Sequence, residues 1–456
     1  MCDNFRRSNE DGTLDTIIDR RVATMSKYDE TYRSKLMTVE ETLNLVKDGD
    51  LVAHGSIPNE PEEFLSRLHT IAERVKHVEI LCSMNHIPHE FLMNPAYKDK
   101  FTVRTNFFGS AARESNKRGI ISYIPAHLFR VYLDQMEHHP ADVLVTMVSP
   151  MDEHGYFQNS LSLPCEREFM DVAKTIIVEV NENMPRLAGD SQIHIRDVAA
   201  VYEHNSELRT IQRSEASEVD KQIASHVAEL VRDGDTLQVG IGSMPDTLLG
   251  MLKDRNDLGL HTEMITSSMA DLVEMGVVTG KRKTLHKGKT VGSFVTGDQR
   301  LYDFVAGNPH FFLRSVVYVN DPRVICQNDN MVAINTSLMV DLTGQIASEA
   351  IGNVQYSGVG GQFCYAQGAA WSKNGRFIIA IKSTAKDGTV SSITPSLPPC
   401  TPVSVLRSDA DYIVTEHGMV RLRALSVRER AQALISIAHP KFRDELTQQA
   451  KDLNYI

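Results

Sequence analysis

A six-residue stretch that occurs twice sets the plan of this chain. Leu45-Val46-Lys47-Asp48-Gly49-Asp50 returns as Leu230-Val231-Arg232-Asp233-Gly234-Asp235, roughly 185 residues later, a distance far beyond the period of a solenoid repeat. The elements downstream of each copy agree as well. A strand, a glycine loop and a proline-started helix come in the same order. Gly55 falls opposite Gly240 and, after one residue of slippage, Pro61 falls opposite Pro245. A duplicated unit of this size is a domain, so two related open α/β domains are expected. Any site they share would lie in the cleft between them. The length of 456 residues allows two or three domains.

The order of elements fills in that plan. Residues 1–35 are polar and charged, and read as an N-terminal arm with a short helix over 13–24. The first domain is expected over 36–215 and the second over 216–456, because 185–215 lacks a clear period. Thr38 and Glu41 have capping-box spacing, starting a helix that runs to Lys47. Strands are expected over 51–53, 78–82, 103–108, 141–148 and 175–180. Gln158-Asn159-Ser160-Leu161 reads as the returning arm of a hairpin after the 152–156 turn. In the second half, helices are expected over 217–232 and 245–254. Strands are expected there over 236–240, 260–266, 291–295, 315–319 and 331–335. Met331–Gln345 reads as a hairpin turning at Asp341-Leu342-Thr343-Gly344. The tail, 427–453, reads as helical with a break at His439-Pro440. Strands alternating with helices imply a largely parallel sheet.

Composition removes several classes of function. A net charge of -11 argues against nucleic-acid binding, which calls for a basic face. The six cysteines, Cys2, Cys82, Cys165, Cys326, Cys364 and Cys400, form no CxxC pair and read as reduced thiols. No HExxH occurs, and His138-His139 reads as a loop pair, so no metal site is expected. The start has no apolar signal-peptide core and no stretch is long and apolar enough to span a bilayer. The expectation is a soluble, cytoplasmic protein with no nucleic-acid or membrane partner.

Candidate chemistry collects around two glycine turns and one glutamate. Gly240-Ile241-Gly242, followed by Pro245 opening a helix, lets backbone approach a ligand at a helix N-terminus. It is either an ordinary tight turn or a seat for a phosphate or pantetheine chain. It is not a dinucleotide fingerprint, since GxGxxG would need glycine where Pro245 stands. Gly358-Val359-Gly360-Gly361 leaves amides unshielded by side chains. It is either a surface loop or an oxyanion-stabilising turn, and its flanks, Val354-Gln355-Tyr356 and Phe363-Cys364-Tyr365, are apolar for a loop. No GxSxG elbow is present, so a serine nucleophile has no support. Glu263, in His261-Thr262-Glu263-Met264-Ile265-Thr266-Ser267, is the candidate nucleophile. A carboxylate needs no base near neutral pH, and attack on a thioester needs only proximity and a stabilised oxyanion.

These stretches carry a resemblance. VGIGSMPD (239–246), LGLHTEMITSSMADLVEMGVVTG (258–280), AINTSLMVDLTGQIASEAIG (333–352) and SGVGGQ (357–362) resemble the acetyl-CoA hydrolase / 4-hydroxybutyrate CoA-transferase family of class I CoA-transferases. So do TNFFGSAAR (105–113), SPMDEHGYFQNSLS (149–162) and the segment 414–446, in family order from about residue 35 onward. The resemblance implies two α/β domains of the CoA-transferase type with the site in the interdomain cleft. It implies that Glu263 carries the acyl group and then CoA, as a glutamyl-CoA thioester with ping-pong kinetics. It assigns CoA contacts to Gly240, Ile241, Gly242, Ser243, Met244, Leu338, Gly360 and Gly361, and an oxyanion pocket to Val239 and Gly361. The coenzyme A thioester is a substrate, and no permanently bound cofactor is expected. The chain is expected to form a homodimer or homotetramer.

The acid would be bound by the first domain, with Phe108, Gly109, Ser110, Arg113 and Asn85 as candidates beside His54-Gly55-Ser56, His86 and His89. The family handles acetate, butyrate or 4-hydroxybutyrate. Arg113 either faces solvent or adds a C4–C5 dicarboxylate such as succinate or itaconate to that set. Acyl-CoA hydrolysis and non-catalytic CoA binding stand as the alternatives to transfer.

Overall fold

In the computed structural model, which describes residues 27–84, 87–164 and 166–456, both DGD turns have the same construction. Gly49 and Gly234 take positive φ, 85° and 78°, where a Cβ would be strained. The aspartate after each glycine accepts the backbone N–H three residues earlier: Asp50 from Lys47 at 2.7 Å, Asp235 from Arg232 at 2.6 Å. Each turn launches a fully buried strand, Leu51–His54 or Thr236–Val239. The helix predicted over 13–24 and the candidate Asn85 lie outside the described residues, as does His86.

The first sheet has seven strands, all parallel. Their order is Ile121–Tyr123, Phe101–Thr105, Val78–Cys82, Leu51–His54, Val143–Val148, Thr175–Val180 and Ala200–Glu203. The second sheet has six: Gly259–Leu260, Thr236–Val239, Met331–Thr336, Arg376–Ala380, Tyr412–Thr415 and Gly418–Arg421. Only its last strand is antiparallel. The shared part of the two orders coincides. In each half the strand after the DGD turn lies between its successor in sequence on one side and later strands on the other, three in the first half and four in the second. The chain therefore reverses its direction of travel across each sheet beside the repeat strand. Open α/β sheets bind ligands at such switch points, outside the carboxyl ends of the strands.

Both faces of the first sheet are covered, as parallel sheets require. Alternate residues divide between two clusters. Val52, Ile80, Val103 and Val145 pack with Phe64 and Phe91, whereas Ala53, Leu81, Leu144 and Val178 pack with Tyr132 and Phe169. Phe294 and Val316, from the connection between strands of the second sheet, complete the latter cluster. That connection is thus a layer wedged between the halves, and it carries Glu263.

Several local expectations are replaced. Residues 315–319 form a short helix, Val316–Val319, not a strand: Ser315 caps it by accepting the Val317 N–H, and Val316 and Val319 are buried on one side. The nearby strand is Phe311–Leu313, paired with Thr290–Gly292. Met331–Thr336 is a central strand, and the hairpin is the shorter Met339–Asp341 with Ile346–Ala347. Asp341 organises its turn by accepting the N–H groups of Thr343 and Gln345. The 152–156 turn leads to Tyr156–Gln158, which pairs with distant Gln192–His194 and not with a neighbouring arm. The Thr38–Glu41 capping box forms, but its helix ends at Leu43, ahead of Lys47. The tail breaks as expected, into Val427–Ile437 and Arg443–Asp452. Among the described residues no helix is long and apolar enough to cross a membrane.

Candidate active site

Glu263 lies in a gap between two strand fragments, where one strand over 260–266 was expected. Gly259–Leu260 pairs at the edge of the second sheet, and Met264–Ile265 pairs with Phe294–Val295 in the wedged layer. The chain changes partners between them. Thr262 donates its N–H to Val291 at 3.0 Å, and the Glu263 carbonyl accepts from Ser293 and Phe294 at 2.9 and 3.2 Å. The Glu263 carbonyl and the Thr262 N–H are therefore tied to the wedged layer.

Two groups at the C-terminal end of one short helix, Val319 and the helix cap Asn320, fix this gap. His261 is wholly buried and its Nε2 lies 2.9 Å from the Val319 carbonyl. A carbonyl only accepts, so Nε2 carries the proton. Burial, with Lys283 adding like charge, holds the ring pKa down to about 3, so the imidazole is neutral and structural. The next residue, Asn320, donates from Nδ2 to Glu263 Oε2 at 2.6 Å. Burial pushes the Glu263 carboxyl up to about 7, and the Asn320 amide opposes the rise. Its charged, nucleophilic form thus gains ground as pH rises. The expected result is a kcat/KM for acyl-CoA that climbs with pH to a midpoint near 7 and falls about tenfold per unit well below it, measured as a pH–rate profile.

The glycine turn approaches from the other side. A Cβ built on Gly361 would stand 2.2 Å from Glu263 Oε2 and 2.2 Å from Asn320 Nδ2. No side chain fits there, although the Gly361 φ of -94° suits any residue. Proximity, not backbone conformation, demands glycine. Gly361 also caps the helix Gln362–Trp371, whose first N–H groups lack intrahelical partners and make that end favourable for developing negative charge. Gly358 abuts the first half, since a Cβ there would meet the Asn106 carbonyl at 2.0 Å. The turn is part of the junction between halves and not an exposed loop.

The resulting cavity, about 440 Å³, is lined from both halves. Phe107, Phe108 and Arg113 come from the first, and Val239, Gly240, Ile241, Glu263, Gly360 and Gly361 from the second. Of the predicted site residues, Gly242, Ser243, Met244 and Leu338 line a neighbouring cavity of about 430 Å³. Ile241, 57% exposed, lines both. Gly109 and Ser110 sit at the start of the helix Ser110–Asn116 and are not among the lining residues. His54 and Ser56 are buried in the first half, and the imidazole of His89 faces Glu60 at 2.9 Å. The sequence reading missed Asn320 and the pair Gln238 and Asn335, whose side-chain amides meet at 2.9 Å on the cavity wall. Asn320-Asp321-Pro322 carried only a helix-start signal, which Asp321 indeed supplies by accepting the Arg323 N–H.

Set beside known proteins, residues 19–213 match the acetyl-CoA hydrolase/transferase N-terminal domain, and residues 297–450 match the C-terminal domain of the same name. The 4-hydroxybutyrate coenzyme A transferase of Clostridium kluyveri is 40% identical over 93% of this chain and 99% of its own length. The succinyl-CoA:cyclohexane-1-carboxylate CoA transferase of Geobacter metallireducens is 39% identical over 94% and 98%. The crystal structure of RipA from Yersinia pestis superposes with a TM-score of 0.89 at 38% identity, over 94% of this chain and 99% of that one. The chain belongs to the acetyl-CoA hydrolase/transferase family, as an enzyme of the CoA-transferase type.

Proposed function

We propose that this enzyme moves CoA between an acyl-CoA and a small carboxylic acid through a thioester on Glu263. One observation carries the reading: a lone carboxylate in a cavity shared by both halves, with Gly361 backbone so close that no Cβ fits. Glu263 attacks the thioester carbonyl, and collapse of the adduct expels CoA thiolate and leaves a mixed anhydride. The thiolate attacks the glutamyl carbonyl and expels the first acid. An incoming carboxylate then reverses the two steps, so atoms and charge balance without a further reagent. Val239 and the Gly361 turn would stabilise the oxyanion, as donors of this kind do in acyl transfer. The pantetheine chain would run past Ile241 into the cavity lined by Ser243, Met244 and Leu338.

The donor in this reading is acetyl-CoA or succinyl-CoA. The acceptor is 4-hydroxybutyrate, butyrate or a C4–C5 dicarboxylate such as itaconate. Arg113 favours including the dicarboxylates. Its guanidinium is oriented by the carbonyls of Phe108 (3.2 Å) and Tyr356 (3.0 Å), and lines the cavity without a salt bridge to a carboxylate of the described residues. A panel of acceptor acids tests this. Arg113→Gln should raise KM for dicarboxylates about tenfold or more and leave monocarboxylates within about twofold, since charge-assisted contacts contribute roughly 1.5–3 kcal/mol. Equal losses for both classes would remove Arg113 from recognition. Acyl-CoA consumption that ignores added acid would make the enzyme a hydrolase.

A further inference from the structure

The glycine turn beside Glu263 is held from across the cleft by the Leu128 N–H, which donates to the Gly360 carbonyl at 3.2 Å, and by the hydroxyl of Tyr123. Tyr123 ends the edge strand Ile121–Tyr123 of the first sheet, in register with Thr105. Its hydroxyl donates to Glu349 Oε2 at 2.7 Å and accepts the Val359 N–H at 3.3 Å. Glu349 is buried, and it organises the same turn from the second half. Its carbonyl accepts the N–H groups of Tyr356 and Ser357 at 2.8 and 3.1 Å. Its carboxylate accepts Gln355 Nε2 at 3.1 Å and Ser404 Oγ at 3.2 Å. The Tyr123 ring also packs on Phe108, centroids 5.5 Å apart, and Phe108 lines the cavity.

We propose that Tyr123 is a positioning residue that locks the 358–361 turn against Glu263 through its paired bonds to Glu349 and Val359. It touches neither Glu263 nor the reacting atoms. Together with the Leu128 bond to Gly360, it fixes where Gly360 and Gly361 stand, and it couples the Glu349 side of that turn to the Phe108 wall of the acid side. The phenolic oxygen is suited to this because it donates and accepts at once. A side chain without the hydroxyl leaves the Val359 N–H without its partner and takes one of two donors from Glu349 Oε2, which keeps only Gln355 Nε2. The turn would then lose register by fractions of an ångström, which is costly where geometry governs rate.

The assignment rests on Glu263 being the acyl acceptor, so the experiment reads that step directly. In single-turnover reactions with acyl-CoA, Tyr123→Phe should form the Glu263 adduct about tenfold to a hundredfold more slowly. KM for acyl-CoA should stay within about twofold, and the pH midpoint set by Glu263 should not move. Glu349→Ala should show the same loss. Glu349→Gln, which keeps an oxygen acceptor for the hydroxyl, should recover most of the rate. A folded Tyr123→Phe with the wild-type single-turnover rate overturns the proposal, and so does a change confined to KM. If Tyr123→Phe does not fold, the Glu349 pair decides, because equal losses in Glu349→Ala and Glu349→Gln overturn it. Absence of the adduct in the wild-type enzyme would strike instead at the role of Glu263.

Discussion

Glu263→Gln should lower the steady-state rate of CoA transfer by at least about 10³-fold, as removal of a covalent nucleophile does. The substitution is close to isosteric, and its amide oxygen can still accept the Asn320 N–H found at 2.6 Å. The cavity should therefore keep its shape and its affinity for acyl-CoA. A loss in kcat with KM within a few-fold is the expected pattern in initial-rate measurements. A loss in KM alone would mean that Glu263 merely binds substrate. The carboxyl is pushed up to about 7 by burial, so the residual activity of the variant should also lack the ionisation near 7 expected in the native pH–rate profile.

Gly361→Ala should cost about 10²-fold or more in kcat, although the substitution adds a single methyl. The Cβ would stand 2.2 Å from both Glu263 Oε2 and Asn320 Nδ2, so both side-chain ends, or the turn itself, must move by about an ångström, a displacement on the order of 10² in rate. Backbone strain does not contribute, because the Gly361 φ is -94°. Gly360 offers the contrast. Its φ is 57°, and a Cβ there would meet only the Phe107 ring at 3.5 Å. Gly360→Ala should act chiefly through backbone strain of about 1–2 kcal/mol, lowering thermal stability more than rate. Kinetics and thermal melts on the two variants separate contact from conformation.

Features held by neighbouring residues were legible in the sequence, and features held by distant ones were not. The duplicated halves could be read because a DGD turn leaves local signatures, a left-handed glycine and an aspartate that closes on the N–H three residues back, and the same order of strand, glycine loop and proline-started helix follows each copy. Glu263 stood out because its surroundings resemble a known family. The break in its strand did not, because fragments of two residues have no periodicity to detect. Ser315-Val316-Val317-Tyr318-Val319 misled because β-branched residues favour strands, whereas here a serine cap and burial of Val316 and Val319 select a helical turn. Asn320 and Tyr123 stayed hidden for another reason. Their partners lie 57 and 226 residues away, and a hydrogen bond over such separations leaves no mark in local spacing.

The central claim concerns a covalent bond at Glu263, and trapping that bond tests it most directly. The enzyme is incubated with acyl-CoA without an acceptor acid, treated with borohydride or hydroxylamine, digested and read by mass spectrometry. The prediction is modification at Glu263 alone: reduction of the thioester to an alcohol by borohydride, or conversion to a hydroxamate by hydroxylamine. An unmodified Glu263 peptide from an enzyme preparation that transfers CoA once acceptor acid is supplied would contradict it.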